Sequence, residues 1–214
     1  MEEKIMKNMK KSLAAIVCMF MVVVSVAGCK SFDATGYVKG YLDTIMKGEC
    51  AEYAKICEVE ESEAEKVYQE QIDVTVQGWT TGFDLSDELK GKYEQLVKDL
   101  LKKTKYEVKE AKKDGKNFTV DVEIEPLKLN LTEDEITQLG TELATQYQET
   151  HETIDQAEFM TFLAEEYYNF ISEKAANCEY GEKTTVTVAV QLVDNKYTLS
   201  TTDQQTLANT LFAE

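Results

Sequence analysis

The chain has 214 residues, with 23 basic against 40 acidic side chains and a net charge of -17. Hydrophobic residues make up 43%, an ordinary globular composition rather than a disordered one. The acidity argues against nucleic-acid binding, which needs a basic footprint. The single histidine removes multi-histidine metal sites, and the absence of arginine removes bidentate clamping of phosphate or carboxylate.

Lys4, Lys7, Lys10 and Lys11 make the N-terminus positive, and Leu13 to Ala27 is then almost wholly apolar. This run of 15 residues is short for a membrane span, which needs roughly 20. It has the length of the hydrophobic region of a secretory signal. It ends in Val26-Ala27-Gly28-Cys29. Small residues before a cysteine resemble the lipobox of bacterial lipoproteins. That resemblance implies cleavage between Gly28 and Cys29 and diacylation of the Cys29 thiol, with residues 1–28 removed. Two acyl chains supply a stable anchor, at about 0.8 kcal/mol per buried methylene. Losing the leader's four lysines and two glutamates takes the net charge from -17 to -19. An anionic lipid surface repels such a body as a whole, so the lipid must do the anchoring. Residues 29–35 form only a short linker, without a Ser/Gly-rich tether. Lysine without arginine, with many Glu, Tyr and Asn, is the usage of an AT-rich genome. With the lipobox it resembles a lipoprotein of a low-GC, clostridia-like Gram-positive bacterium. The expected location is the outer face of the cell membrane.

Beyond the linker, Val38, Tyr41, Leu42, Ile45 and Met46 line one helix face, which Gly48 ends. Ala54, Ile56 and Cys57 suggest a short helix. Ala64, Val67, Tyr68 and Ile72 mark another, running to Trp79. Asp84 or Ser86 can cap a fourth, with Leu89, Tyr93, Leu96, Val97, Leu100 and Leu101 as its stripe. The period then falls to two. Tyr106 and Val108 precede an Asp114-Gly115 turn signal, and Phe118, Val120, Val122 and Ile124 follow up to Pro126. Thr132 and Glu135 form a capping box for a helix carrying Ile136, Leu139, Leu143 and Tyr147. Asp155 and Glu158 open the next, whose expected face is Phe159, Phe162, Leu163, Phe170 and Ile171. Val186, Val188, Val190 and Leu192 make a further strand. Asp194-Asn195 turns it toward Tyr197 and Leu199, and Asp203 to Phe212 suggests a terminal helix.

Strict alternation predicts an antiparallel sheet with one buried face. The fold class is therefore α+β, with six or seven helices packed on one face of a four-stranded antiparallel sheet made of two hairpins. Residues 36–214 are expected to form a single domain, or else two units of helices plus hairpin, 36–128 and 129–214. The segments Tyr37–Met46, Tyr106–Pro126 and Thr184–Leu199, together with the lipobox, resemble small bacterial lipoproteins of unknown function. Several of those have cystatin-like or nuclear transport factor 2-like domains, a fold that implies no particular activity.

Candidate site residues are sparse. His151 beside Glu152 could act as a general base, and Glu166 would be a catalytic carboxylate if it faced a pocket. Trp79, between Gly78 and Gly82, could be a ligand platform or a core plug at a helix end, and Tyr167 could line a pocket near Glu166. Asp121, Glu123 and Glu125 share the outward face of a strand and could gather a cation, although no EF-hand loop surrounds them. Cys50 and Cys57 would lie about 10 Å apart on a continuous helix, too far for a disulfide. Three unpaired, buried cysteines are the first reading; a bridge to Cys178 from one of the other two, as Cys57 with Cys178, is the possible pairing. No metal site or cofactor is expected. The expected function is a membrane-anchored, extracytoplasmic, non-catalytic binding or scaffold module. Its partners would be the membrane through the lipid, and a wall component, protein or small ligand. The alternative is a small hydrolase- or isomerase-like enzyme with a pocket between sheet and helices.

Overall fold

The computed structural model describes residues 24–25, 32–153 and 155–212. The lipobox, including Gly28 and Cys29, lies outside them. Four helices come first: α1 (Ala34–Lys47), α2 (Ala51–Cys57), α3 (Glu61–Trp79) and α4 (Asp87–Lys102). Strands β1 (Lys105–Val108), β2 (Lys112–Asp114), β3 (Asn117–Glu125) and β4 (Leu127–Lys128) follow. Then come α5 (Glu133–Thr150), α6 (Gln156–Ala176), β5 (Glu179–Tyr180), β6 (Thr184–Val193), β7 (Lys196–Leu199) and α7 (Thr201–Leu211). The fold is α+β, with seven helices among the described residues.

The main sheet is antiparallel, in the order β7-β6-β3-β1, with β2 also on β3. The two hairpins join where β3 pairs with β6, from Phe118 opposite Val190 to Ile124 opposite Thr184. Alternation then puts Val120, Val122, Ile124, Val186, Val188 and Val190 on one buried face. Helices α1 and α7 lie on that face, and α2, α3 and α4 pack onto α1. A two-residue strand, Val24–Ser25, pairs with β7 at Tyr197 and Lys196. Separately, β4 pairs with β5, where the Gly181 amide donates to the Pro126 carbonyl at 2.8 Å. The sequence pattern gave no sign of this small ladder.

The first hairpin is not continuous. Val108 stands opposite Val122, but Lys112 stands opposite Thr119. One strand has spent four residues where its partner spent three, which is a β-bulge. The bulge turns the Ala111 amide out of the ladder, and Thr35 Oγ1 of α1 accepts it at 2.9 Å. The hairpin closes through Gly115 and Lys116, with Gly115 at φ 61°. Positive φ at the first central residue is the primed geometry that suits strand twist. The second hairpin uses Asp194 and Asn195, with φ 49° and 61°.

Helix boundaries follow local chemistry. Ser86, not Asp84, caps α4, accepting from the Leu89 amide. Asp155 accepts from both Ala157 and Glu158. The capping box at α5 forms as the sequence suggests: Thr132 Oγ1 accepts from the Glu135 amide, and Glu135 accepts from the Thr132 amide. Lys174 of α6 adds an ion pair to Glu135 at 2.5 Å and donates to the Asn130 carbonyl. Lys174 and the Thr132 donors hold the Glu135 carboxyl down to about 2.

The buried face of α6 differs from the expected one. Ala164, Tyr167, Ile171 and Ala175 are its buried residues. Phe159 and Phe162 instead pack on Tyr147 of α5, with centroids 4.9 and 5.4 Å away. The helix is apolar on two sides because it faces both α5 and the body of the chain.

Gly48 ends α1 in the left-handed region, at φ 72°, returning its amide to the Asp43 and Thr44 carbonyls. A Cβ there would lie 2.8 Å from Tyr68 Cε1. Gly48→Ala is therefore expected to cost about 1–3 kcal/mol, from left-handed strain plus displacement of the Tyr68 ring. The midpoint of urea unfolding measures it, and an unchanged midpoint would contradict this account of the turn.

Candidate functional site

The most organised polar group in the described chain is one that the candidate list above omits. Asp43 sits on α1 among Leu42, Ile45 and Met46 and is 5% exposed. An apolar helix face should not bury a lone carboxylate. Here every approach is filled by a donor. Lys39 lies one turn before and bonds Oδ2, while Lys47 lies one turn after and meets Oδ1 at 2.7 Å. Tyr106 of β1 donates its hydroxyl to Oδ1 at 2.8 Å. Lys47 also lies over the Tyr106 ring, 4.8 Å from its centroid. Burial pushes the Asp43 carboxyl up, but Lys39, Lys47 and Tyr106 together outweigh it and leave it below the ordinary carboxylate range. Burial and the Asp43 charge push the Tyr106 phenol well above its ordinary value. The cluster pins α1 to β1, and its carboxylate is engaged on both oxygens. The sequence signal was present: lysines at i−4 and i+4 flank an aspartate inside an apolar stripe.

The nominated residues are not brought together. Glu166 lies half-exposed on α6 and meets only the Asn169 side chain, at 3.5 Å among its recorded bonds. It does not belong to the buried face of the helix, which Ala164, Tyr167, Ile171 and Ala175 form. His151 follows α5 and is exposed. Its ring stacks on Tyr147 at 3.9 Å, and Nδ1 lies 3.0 Å from the Tyr147 carbonyl. That places it at a helix C-terminus, with no recorded pairing to Glu152. Trp79 is a core residue, 2% exposed, packed in the main apolar cluster rather than presented as a platform. Its buried Nε1 has no partner in the structure. Tyr167 is buried against Phe83, with centroids 5.9 Å apart, in a small cluster with Ile136.

The proposed bridge between Cys57 and Cys178 is not made. Cys50, Cys57 and Cys178 are all free thiols. Cys57 lies in α2 beside Tyr53, and burial drives its thiol up to about 12. Cys178 follows α6, where Lys103 Nζ is 3.8 Å from its sulfur. The two have different neighbours, and each occupies a site already filled by its own packing.

The outward carboxylates of β3 have cations, but these are lysines of the chain itself. Asp121 meets Lys112 at 2.9 Å and accepts the Thr187 hydroxyl at 2.6 Å. Glu123 meets Lys109 and Lys183, both at 3.1 Å, and Glu125 meets Lys105 at 3.6 Å. The Thr187 hydroxyl and then Lys112 lower the Asp121 carboxyl, and Lys109 and Lys183 lower that of Glu123. No group of three or more metal-ligating side chains occurs among the described residues.

No protein-family model matches the chain, and no curated protein matches its sequence. Among solved structures it is similar to ycdA of Bacillus subtilis subsp. subtilis str. 168, described as a candidate lipoprotein, with a TM-score of 0.54 at 15% identity. The match covers 85% of this chain and 56% of that one, so the chain spans just over half the length of that protein. At this identity the likeness is one of fold.

Two measurements probe these sites. Asp43→Asn weakens the hydrogen bonds from Tyr106 and two lysines whose ammonium groups still reach solvent, and is expected to cost about 1–3 kcal/mol. Because the folded-state carboxyl is depressed, the Asp43 contribution is present above the ordinary carboxylate range and is lost as pH falls through the folded value. The variant should therefore lose part of its acid sensitivity in unfolding curves taken between neutral and acidic pH; an identical pH profile would count against the clamp. In the native protein a thiol reagent should label Cys178 first and spare Cys50 and Cys57 until unfolding, as read by peptide mass. Protection of Cys178 released only by a reductant would restore the disulfide.

Proposed function

We propose that this chain is a lipid-anchored lipoprotein on the outer face of the cell membrane, acting as a non-catalytic binding or scaffold module. The observation that carries the reading is the sequence from Lys4 to Cys29: positive start, apolar core, then Val-Ala-Gly-Cys. Three residues after that cysteine, Phe32 already packs on the folded body. The fold-level likeness to a candidate lipoprotein supports it. No described helix is long and apolar enough to cross a membrane. A non-catalytic role is supported by where the reactive groups are spent. Asp43 is engaged by its clamp and the sheet carboxylates by lysines, while His151 stands at a helix end away from any other nominated residue.

The lysine-only composition fits a low-GC Gram-positive cell. A helix packed across an antiparallel sheet, as α1 is, is also the arrangement expected of a cystatin-like or nuclear transport factor 2-like domain. Residues 36–214 would act as one unit, since a single apolar cluster includes Ala34, Val122, Val188 and Leu211.

Metabolic labelling with a tagged fatty acid tests the anchor. The wild type should incorporate label and fractionate with membranes. Cys29→Ala should lose the label and keep its leader. An unlabelled wild type with residues 1–28 intact would end this reading.

A further inference from the structure

The chain next to the lipobox is held at one end of the sheet. Phe32 stacks on Tyr197 of β7, centroids 4.0 Å apart and 20° between planes, and lies 6.1 Å from Phe118 of β3. Only Lys30 and Ser31 separate Phe32 from Cys29, and three steps of fully extended chain reach no more than about 10 Å from the Phe32 Cα.

That end carries both hairpin turns. Phe118 stands opposite Val190, which brings the 115–116 turn and the 194–195 turn side by side. The Leu192 amide donates to Asn117 Oδ1 at 3.0 Å, and the Tyr197 hydroxyl to the Lys116 carbonyl at 3.2 Å. Residues 112–117 and 193–196 hold four lysines against two aspartates, in a chain of net charge -17. Lys112 is engaged by Asp121, while Lys113, Lys116 and Lys196 are exposed and enter no recorded ion pair. Between them stands Val193, 51% exposed, the most exposed large hydrophobic side chain among the described residues. The repulsion expected from the net charge therefore does not apply at this end.

We propose that the paired β2–β3 and β6–β7 turns are the membrane-facing surface of the protein and bind anionic phospholipid headgroups, with Val193 entering the interface. The proposal rests on acylation of Cys29. Lysines close to an anionic bilayer gain energy that fades within a Debye length. A free lysine on each turn, with an apolar tip between, would fix the orientation of a body whose remaining surface is repelled.

The test uses the acylated full-length product, purified from membranes and reconstituted into vesicles of phosphatidylglycerol or of phosphatidylcholine. The acyl mass on Cys29 is read first. Val193→Trp places a reporter at the turns, and Glu182→Trp places one next to the opposite end of β6. The native Trp79 is buried and adds a constant background. In phosphatidylglycerol, Val193→Trp emission should shift to the blue and be quenched by brominated lipid, while Glu182→Trp should not respond. Adding Lys113→Gln, Lys116→Gln and Lys196→Gln should lower the docked-to-free ratio by about fivefold per lysine, and high salt should do the same. An acylated protein whose two reporters behave alike, or whose quenching is equal in the two lipids, overturns this proposal and leaves the anchor standing. A chain without acyl mass overturns both.

Discussion

The pairing of β3 with β6 is the constraint on which the rest of the molecule depends. It joins residues such as Asp121 and Thr187, 66 positions apart in the chain, and it alone turns two local hairpins into one sheet. Its inward side chains are nearly all valine, with Ile124 at one end. β-Branched residues fit a pleated, half-buried surface well, and a one-residue slip would turn all of them toward water. The register is therefore fixed by burial. Closing so long a loop is costly in entropy, and only the combined burial under α1 and α7 returns that cost.

The same logic explains the Asp43 clamp. An α1 that was apolar on every side would be free to slide over a flat valine surface. A single buried carboxylate, met by two lysines of its own helix and by Tyr106 of the sheet, singles out one position. The Thr35 hydroxyl on the displaced Ala111 amide does the same at the other end of the helix. Dispersion and burial hold the layers together, while these two polar contacts set their alignment.

Local periodicity made most of the elements legible from the residues. The stripes of α1 and α4, the alternation of β3 and β6, the Thr132 capping box and the Asp194-Asn195 turn all carry their own signal. What escaped was set by partners distant in sequence. The face of α6 was misjudged because its apolar residues serve two neighbours, and periodicity cannot say which neighbour is the core. The bulge between β1 and β2 has no mark in a stretch as polar as Lys109 to Asp114. Trp79 as platform or core plug, and Glu166 as pocket carboxylate or helix-edge side chain, stay open in the sequence because each depends on the direction in which a helix is rotated. The lysines that neutralise Asp121 and Glu123 come from other strands. The uneven charge at the turns becomes visible only when the two hairpins are brought side by side, as Tyr197 and Lys116 are from 81 positions apart.

The interrupted edge strand has a further consequence. Proteins confined to a surface meet one another at a much higher effective concentration than in bulk. An open row of amides and carbonyls would then invite edge-to-edge polymerisation. Here the outer edge is broken by the bulge, short on either side of it, and studded with Lys105, Lys109, Lys112 and Lys113. Along this edge a neighbouring copy finds no straight template. On the anchored protein proposed above, that irregularity would keep adjacent copies from pairing through β1 and β2.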